Sequence, residues 1–264
     1  MAEKIAAAIN QLAQFCGPKD LPALTQTALQ QTYGYTQADV FVLFGGSILA
    51  GGDLLAQAIQ AKVAKKYIIV GGAGHTTPRL RQQMAPYLPN QSLEQLSEAE
   101  LFSAYLQQKY QLTVDYLETK STNCGNNITY LLALLAQQQL PHQTMILAQD
   151  ASMQRRMAAG LHKYAPEVQI INYATYQVQV QTKADQLVFD QMPLGLWSMS
   201  EYITLLLGEI PRLRNDPNGY GPKGQNFIAP VSVPAAVQTA FETLAAEFPD
   251  RIRQANSAYA SDSN

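Results

Sequence analysis

After Asp39 the chain runs "VFVLF" to residue 44 and then meets two glycines. A β-branched and aromatic run that short, closed by a turn signal, marks a strand buried on both faces. The same texture returns in "YIIV" (67–70), "TVDYL" (113–117), "TMILA" (144–148) and "VQIINY" (168–173). Helical stretches separate them. Leu55, Ile59 and Val63 share one face after the first strand, and polar helical segments cover roughly 78–86 and 93–110. Strands sealed on both faces and joined through helices predict a parallel sheet with helices on both sides. For a doubly wound sheet the order 3-2-1-4-5 is the default expectation.

Two amphipathic helices, near 2–16 and 22–32, precede this core. Beyond residue 175 the pattern weakens. "YQVQVQT" alternates like an edge strand or hairpin arm, and "LWSMSEYITLLLGEI" is helical. "PRLRNDPNGYGPKGQNF" is irregular, a last helix spans about 234–248, and the tail "NSAYASDSN" reads as disordered. The expected division is 1–37 (N-terminal helices packing on the core), 38–190 (α/β domain) and 191–264 (helical and irregular extension).

Composition excludes several classes. A net charge of −2 gives no basic footprint for nucleic acid. The two cysteines, Cys16 and Cys124, form neither a C-x-x-C pair nor a disulfide framework, which suits a reducing compartment. No signal peptide is apparent, and runs such as "YLLALLA" are too short to span a bilayer. The expectation is a cytoplasmic protein with no integral membrane segment; oligomeric state is not legible.

In an open parallel sheet ligands bind outside the carboxyl ends of the strands. Four loops there carry the candidate ligand-binding residues: Gly45, Gly46 and Ser47; Gly71, Gly72, Gly74 and His75; Ser121, Thr122, Asn123, Asn126 and Asn127; and Asp150, with Arg155 and Arg156 just inside the next helix. Glycines expose backbone N–H groups, helix N-termini favour negative charge, and arginine grips carboxylate or phosphate. Each loop alone is equally explained by turns and helix caps. Four at one edge point to a nucleotide-like or anionic metabolite.

Standard signatures are missing. "GGSILAGGD" is not G-x-G-x-x-G, and the second strand ends in Gly71-Gly72 rather than in an acid for a ribose. There is no Walker A lysine, no G-x-S-x-G and no H-E-x-x-H. No second His or Cys stands at ligand spacing, so no metal site is expected.

Three residues are candidates for proton transfer: Glu98, His75 and Asp150. Ser97 and Glu100 form an S-x-x-E capping box, so Glu98 in that first turn suits a structural role too. His75 suits acid–base work or a backbone contact. Asp150 suits a helix cap, a ribose contact or a base. Of Arg155 and Arg156, adjacent on a helix, one is expected to face the cleft. Cys124 reads as a packing residue. The segment around "GYGPKG" reads as a connector or a lid.

"STNCGNN", "QDASMQRRM" and "GEIPRLRNDPNGYGPKGQNFI" resemble the bacterial family of YdcF, SanA and ElyC, from about residue 38 to at least 230. The resemblance implies a Rossmann-like domain with a C-terminal extension, and proposed binding of S-adenosylmethionine without a settled reaction. The family's positions fall on Gly45, Gly46, Gly71, Gly72, Glu98, Ser121, Asn127, Asp150 and Arg156. Asn126 stands where the family has an acid, and Met153 where it often has a histidine. Both departures weaken acid–base catalysis at those points. The membrane segment of the envelope members is not apparent.

Three functions follow as expectations. The first is a small-molecule-binding protein, an enzyme or not, with S-adenosylmethionine as the named ligand. The second is a hydrolase or transferase on a phosphate-bearing substrate, with Arg156 stabilising developing charge. The third is a non-catalytic sensor or scaffold.

Overall fold

A computed structural model describes residues 1–46 and 48–252. Ser47 and the tail "NSAYASDSN" lie outside the described residues. Five parallel strands form the sheet: β1 (Ala38–Phe44), β2 (Ala64–Val70), β3 (Tyr116–Glu118), β4 (Thr144–Ala148) and β5 (Gln169–Asn172). Their order is β3-β2-β1-β4-β5, a Rossmann-like arrangement that matches the default order for a doubly wound sheet, which the sequence itself does not fix.

Alternate residues of the strands serve opposite faces. Phe41, Leu43 and Ile69 pack under α3 (Ala50–Gln60) and α5 (Glu98–Tyr110). Val40, Val42, Phe44, Ile68 and Val70 pack under α6 (Cys124–Gln137) and α7 (Gln154–Tyr164). The short α2 (Gln26–Tyr33) and α4 (Thr77–Met84) complete the first layer.

A third core lies beside this sandwich. α1 (Ala2–Cys16) packs with α8 (Met199–Leu213), α9 (Ala235–Glu247) and the antiparallel hairpin β6 (Val180–Lys183) and β7 (Gln186–Phe189). The alternating "YQVQVQT" is thus a hairpin arm. The N-terminal helix α1 and the C-terminal extension share this core.

Several boundaries differ from expectation: α2 begins at Gln26 rather than near 22, β2 at Ala64 rather than 67, and α8 at Met199. α5 starts at Glu98, because the Ser97–Glu100 capping box fixes its first turn. β3 is only three residues and begins at Tyr116; before it, the Asp115 side chain accepts from the Tyr67 N–H. Among the described residues no helix is long and apolar enough to cross a membrane.

Candidate functional site

Parallel strands place all their carboxyl ends at one edge, so the β1, β2, β3 and β4 loops meet there. Glu98 projects into this rim from the start of α5. It is buried, and its backbone N–H donates to Gly72 O at 2.8 Å, while that of Ala99 donates to Gly71 O at 2.8 Å. These bonds press the first turn of α5 onto the end of β2.

Glycine makes that approach possible. A Cβ at Gly45 would lie 2.6 Å from Glu98 Oε2, and one at Gly71 would lie 3.1 Å from Glu98 Cβ. Glu98 Oε1 accepts from Thr77 Oγ1 at 2.8 Å and from Thr76 Oγ1 at 3.2 Å. Burial pushes the carboxyl above its ordinary value, opposed by those two hydroxyls and by the Arg81 charge. A carboxyl so placed holds its proton more readily than an exposed one.

The third loop is interlocked with the second. Ser121 Oγ accepts from the Gly72 N–H at 3.1 Å. Asn123 caps α6 by accepting from the Asn126 N–H at 2.9 Å. Asn126 Oδ1 accepts from Asn123 Nδ2 at 2.8 Å and from Thr122 Oγ1 at 3.2 Å. Asn127, partly buried, follows in the same helical turn. The opening of "STNCGNN" therefore supplies a helix cap and a bracket for the glycine loop together.

Glu118, at the end of β3, went unnoticed in the sequence. It is buried; Oε1 accepts from the N–H of Lys120 at 2.6 Å and of Ser121 at 3.0 Å, while Oε2 is buried without a partner. The only signal in the sequence was an acid ending an apolar strand, which also fits a turn.

The switch point between β1 and β4 is bridged by Gln149. Its Nε2 donates to Gly45 O at 3.2 Å and its Oε1 accepts from the Asp150 N–H at 2.7 Å. Here a cavity of about 10 Å³, bordered by Phe44, Gly46, Phe102, Gln149, Asp150 and Thr175, has room for one water-sized molecule.

Asp150 is fully engaged by protein groups. Oδ1 accepts from Ser152 N, Ser152 Oγ and Tyr176 OH, each at 2.8 Å, and Oδ2 accepts from Trp197 Nε1 at 2.7 Å. It caps its loop and ties the rim to the C-terminal extension. His75 is exposed in the second loop, near Gly74. The Gly74 N–H donates to Thr77 Oγ1 at 2.7 Å.

The two arginines turn elsewhere. Arg156 makes a bidentate pair with Glu209 of α8, at 2.6 and 2.9 Å. Arg155 donates to the Phe15 carbonyl and lies 4.3 Å from that ring. Their partners lie 53 and 140 positions away in the chain, beyond any spacing rule. The segment around Gly219–Gly224 is bound to itself, with Gly221 N donating to Arg214 O and Gln225 N to Gly219 O. It docks on α7 through Ala229 N donating to Ala159 O.

Among the described residues no group of three or more His, Cys, Asp or Glu is placed to hold a metal ion. No protein-family profile matches the chain.

Proposed function

We propose that the chain is a small-molecule-binding protein whose ligand docks at the carboxyl edge of the sheet, with Glu98 exchanging a proton with it. One observation carries this reading: a buried carboxyl with a raised pKa rests on two glycines at the rim where parallel sheets bind ligands. Thr76 and Thr77 occupy Oε1. Oε2, over Gly45, is the oxygen assigned to the proton.

The electrostatics favour a ligand with a cationic or hydrogen-donating group over an anion. Arg155 and Arg156, which would have gripped phosphate, are committed to Phe15 and Glu209. S-adenosylmethionine, implied by the family resemblance, is the candidate ligand. Its ammonium and sulfonium charges suit the rim carboxylates, and Glu98 and Glu118 are the residues that would hold them. When bound it would supply an activated methyl group; the chain's own part is to bind, orient and manage a proton at Glu98.

Calorimetric titration of the purified protein with S-adenosylmethionine tests this, run in buffers of different ionisation enthalpy. Wild type is expected to bind with proton uptake or release, and Glu98→Gln to bind without it. No heat at millimolar ligand removes this candidate. Equal proton transfer in both proteins removes Glu98 from the role.

A further inference from the structure

Thr77 sits between the glycine loop and the acid. It is buried, accepts from the Gly74 N–H at 2.7 Å and donates to Glu98 Oε1 at 2.8 Å. We propose that Thr77 is a positioning residue that couples the conformation of the Gly71–Gly74 loop to the protonation of Glu98, so that a ligand seated on that loop alters the acid. The ligand clause rests on the function proposed above; the coupling itself does not.

The chemistry follows from what a hydroxyl offers. Thr77 has one hydrogen and two lone pairs. With Glu98 ionised, the hydrogen goes to Oε1 and a lone pair takes the Gly74 N–H, so the chain N–H to O–H to carboxylate is complete. With a proton on Oε1, that oxygen becomes a donor towards Thr77 and the threonine hydrogen loses its acceptor. That mismatch is avoided when the proton goes to Oε2, the oxygen assigned above. Oε1 then still accepts from Thr77, but as a neutral and weaker acceptor, so the polarisation that Thr77 relays to the Gly74 N–H falls when Glu98 is protonated. Hydrogen bonds to the charged form favour that form, so Thr77 opposes the upward push of burial.

Other groups around Glu98 do not duplicate this. Thr76 bonds the same oxygen at 3.2 Å without a link to Gly74 in that bond. Arg81 of α4 acts on Glu98 through its charge alone. Glu100, on the same helix, is bound to Ser97. Asp53 of α3 is paired with Lys109 at the far end of α5. Glu118 and Asp150, at neighbouring strand ends, bond within their own loops or to Tyr176 and Trp197, and His75 precedes Thr76 in the loop.

NMR on the ligand-free protein tests the coupling. The Glu98 carboxyl is followed by carbon-13 shift, assigned by its loss in Glu98→Gln, and the Gly74 amide by nitrogen-15 correlation. In wild type the Gly74 amide is expected to titrate with the Glu98 midpoint, and to lose that inflection in Glu98→Gln. In Thr77→Val the Glu98 midpoint is expected to rise by about one pH unit, and Thr77→Ser is expected to restore it. A Gly74 amide that ignores Glu98, an unmoved midpoint in Thr77→Val, or Thr77→Ser behaving like the valine variant each overturns the proposal. Should Thr77→Val fail to fold, the wild-type Gly74 titration still decides. If the coupling holds while Glu98→Gln binds S-adenosylmethionine with unchanged proton transfer, the proposed function fails and the coupling stands.

Discussion

A carboxyl whose folded pKa lies above its unfolded one binds its proton more tightly in the native state. For Glu98, whose ordinary value is 4.5, that sets a sign. Its favourable contribution is present in acid and is lost as pH rises through the folded pKa. Urea denaturation of wild type and Glu98→Gln across a pH series should therefore show wild type losing ground to the variant as pH rises, then levelling off. A flat or rising difference contradicts the burial argument. Gly45→Ala is expected to cost about 1–3 kcal/mol, since its methyl would meet Glu98 Oε2 at 2.6 Å; the same denaturation series measures it. The sequence shows Glu98 both as a first-turn residue beside a capping box and as a site candidate, and the structure gives it both settings. What it hides is the glycine floor under the carboxyl, because that contact joins three segments that are remote in the chain.

Elements were legible where periodicity was strong. β1, β2 and β4 stand out through their carboxyl-terminal runs, VFVLF, YIIV and MILA, which are buried on both faces; the start of β2 was not legible, because Lys65 and Lys66 break its pattern. The edge strand β3 is faint: three partly polar residues with a neighbour on one side only. The arginines of α7 were visible, their destinations were not. The Arg156–Glu209 pair joins α7 to α8 through a buried bidentate contact, with side-chain exposures of 13% and 5%. Removing one partner strands a charge, so Arg156→Ala is expected to cost about 3–5 kcal/mol. Replacing both residues by leucine is expected to recover most of that loss. Thermal unfolding of Arg156→Leu, Glu209→Leu and the double leucine variant forms the cycle that checks the recovery, with Arg156→Ala measured beside it.

The described residues form three cores, and the one built from α1, the hairpin, α8 and α9 joins segments from both ends of the chain. Ile5, Ile9 and Leu12 of α1 are buried against the same cluster as Leu206, Ile210 and Phe241. Sequence periodicity marks an apolar face but not its partner, so the helices at 1–37 are legible as packing on the core without the elements they meet. A chain ended at residue 190 would leave the α1 stripe uncovered. It is expected to lose near-UV circular dichroism and to unfold without a cooperative urea transition; a cooperative transition with wild-type slope would show that the first two cores suffice. Asp150 crosses the same boundary, since its four acceptor contacts reach from the β4 loop to Tyr176 and Trp197.

Trp197 is the chain's single tryptophan, and its indole is held by Asp150 on one side and by Arg79 of α4, 4.3 Å from its ring, on the other. Nature has thus placed one fluorophore where the β2 and β4 connections both act on it. Its emission colour and quenching constitute a built-in optical gauge of the rim, readable without a label whenever a candidate metabolite is added.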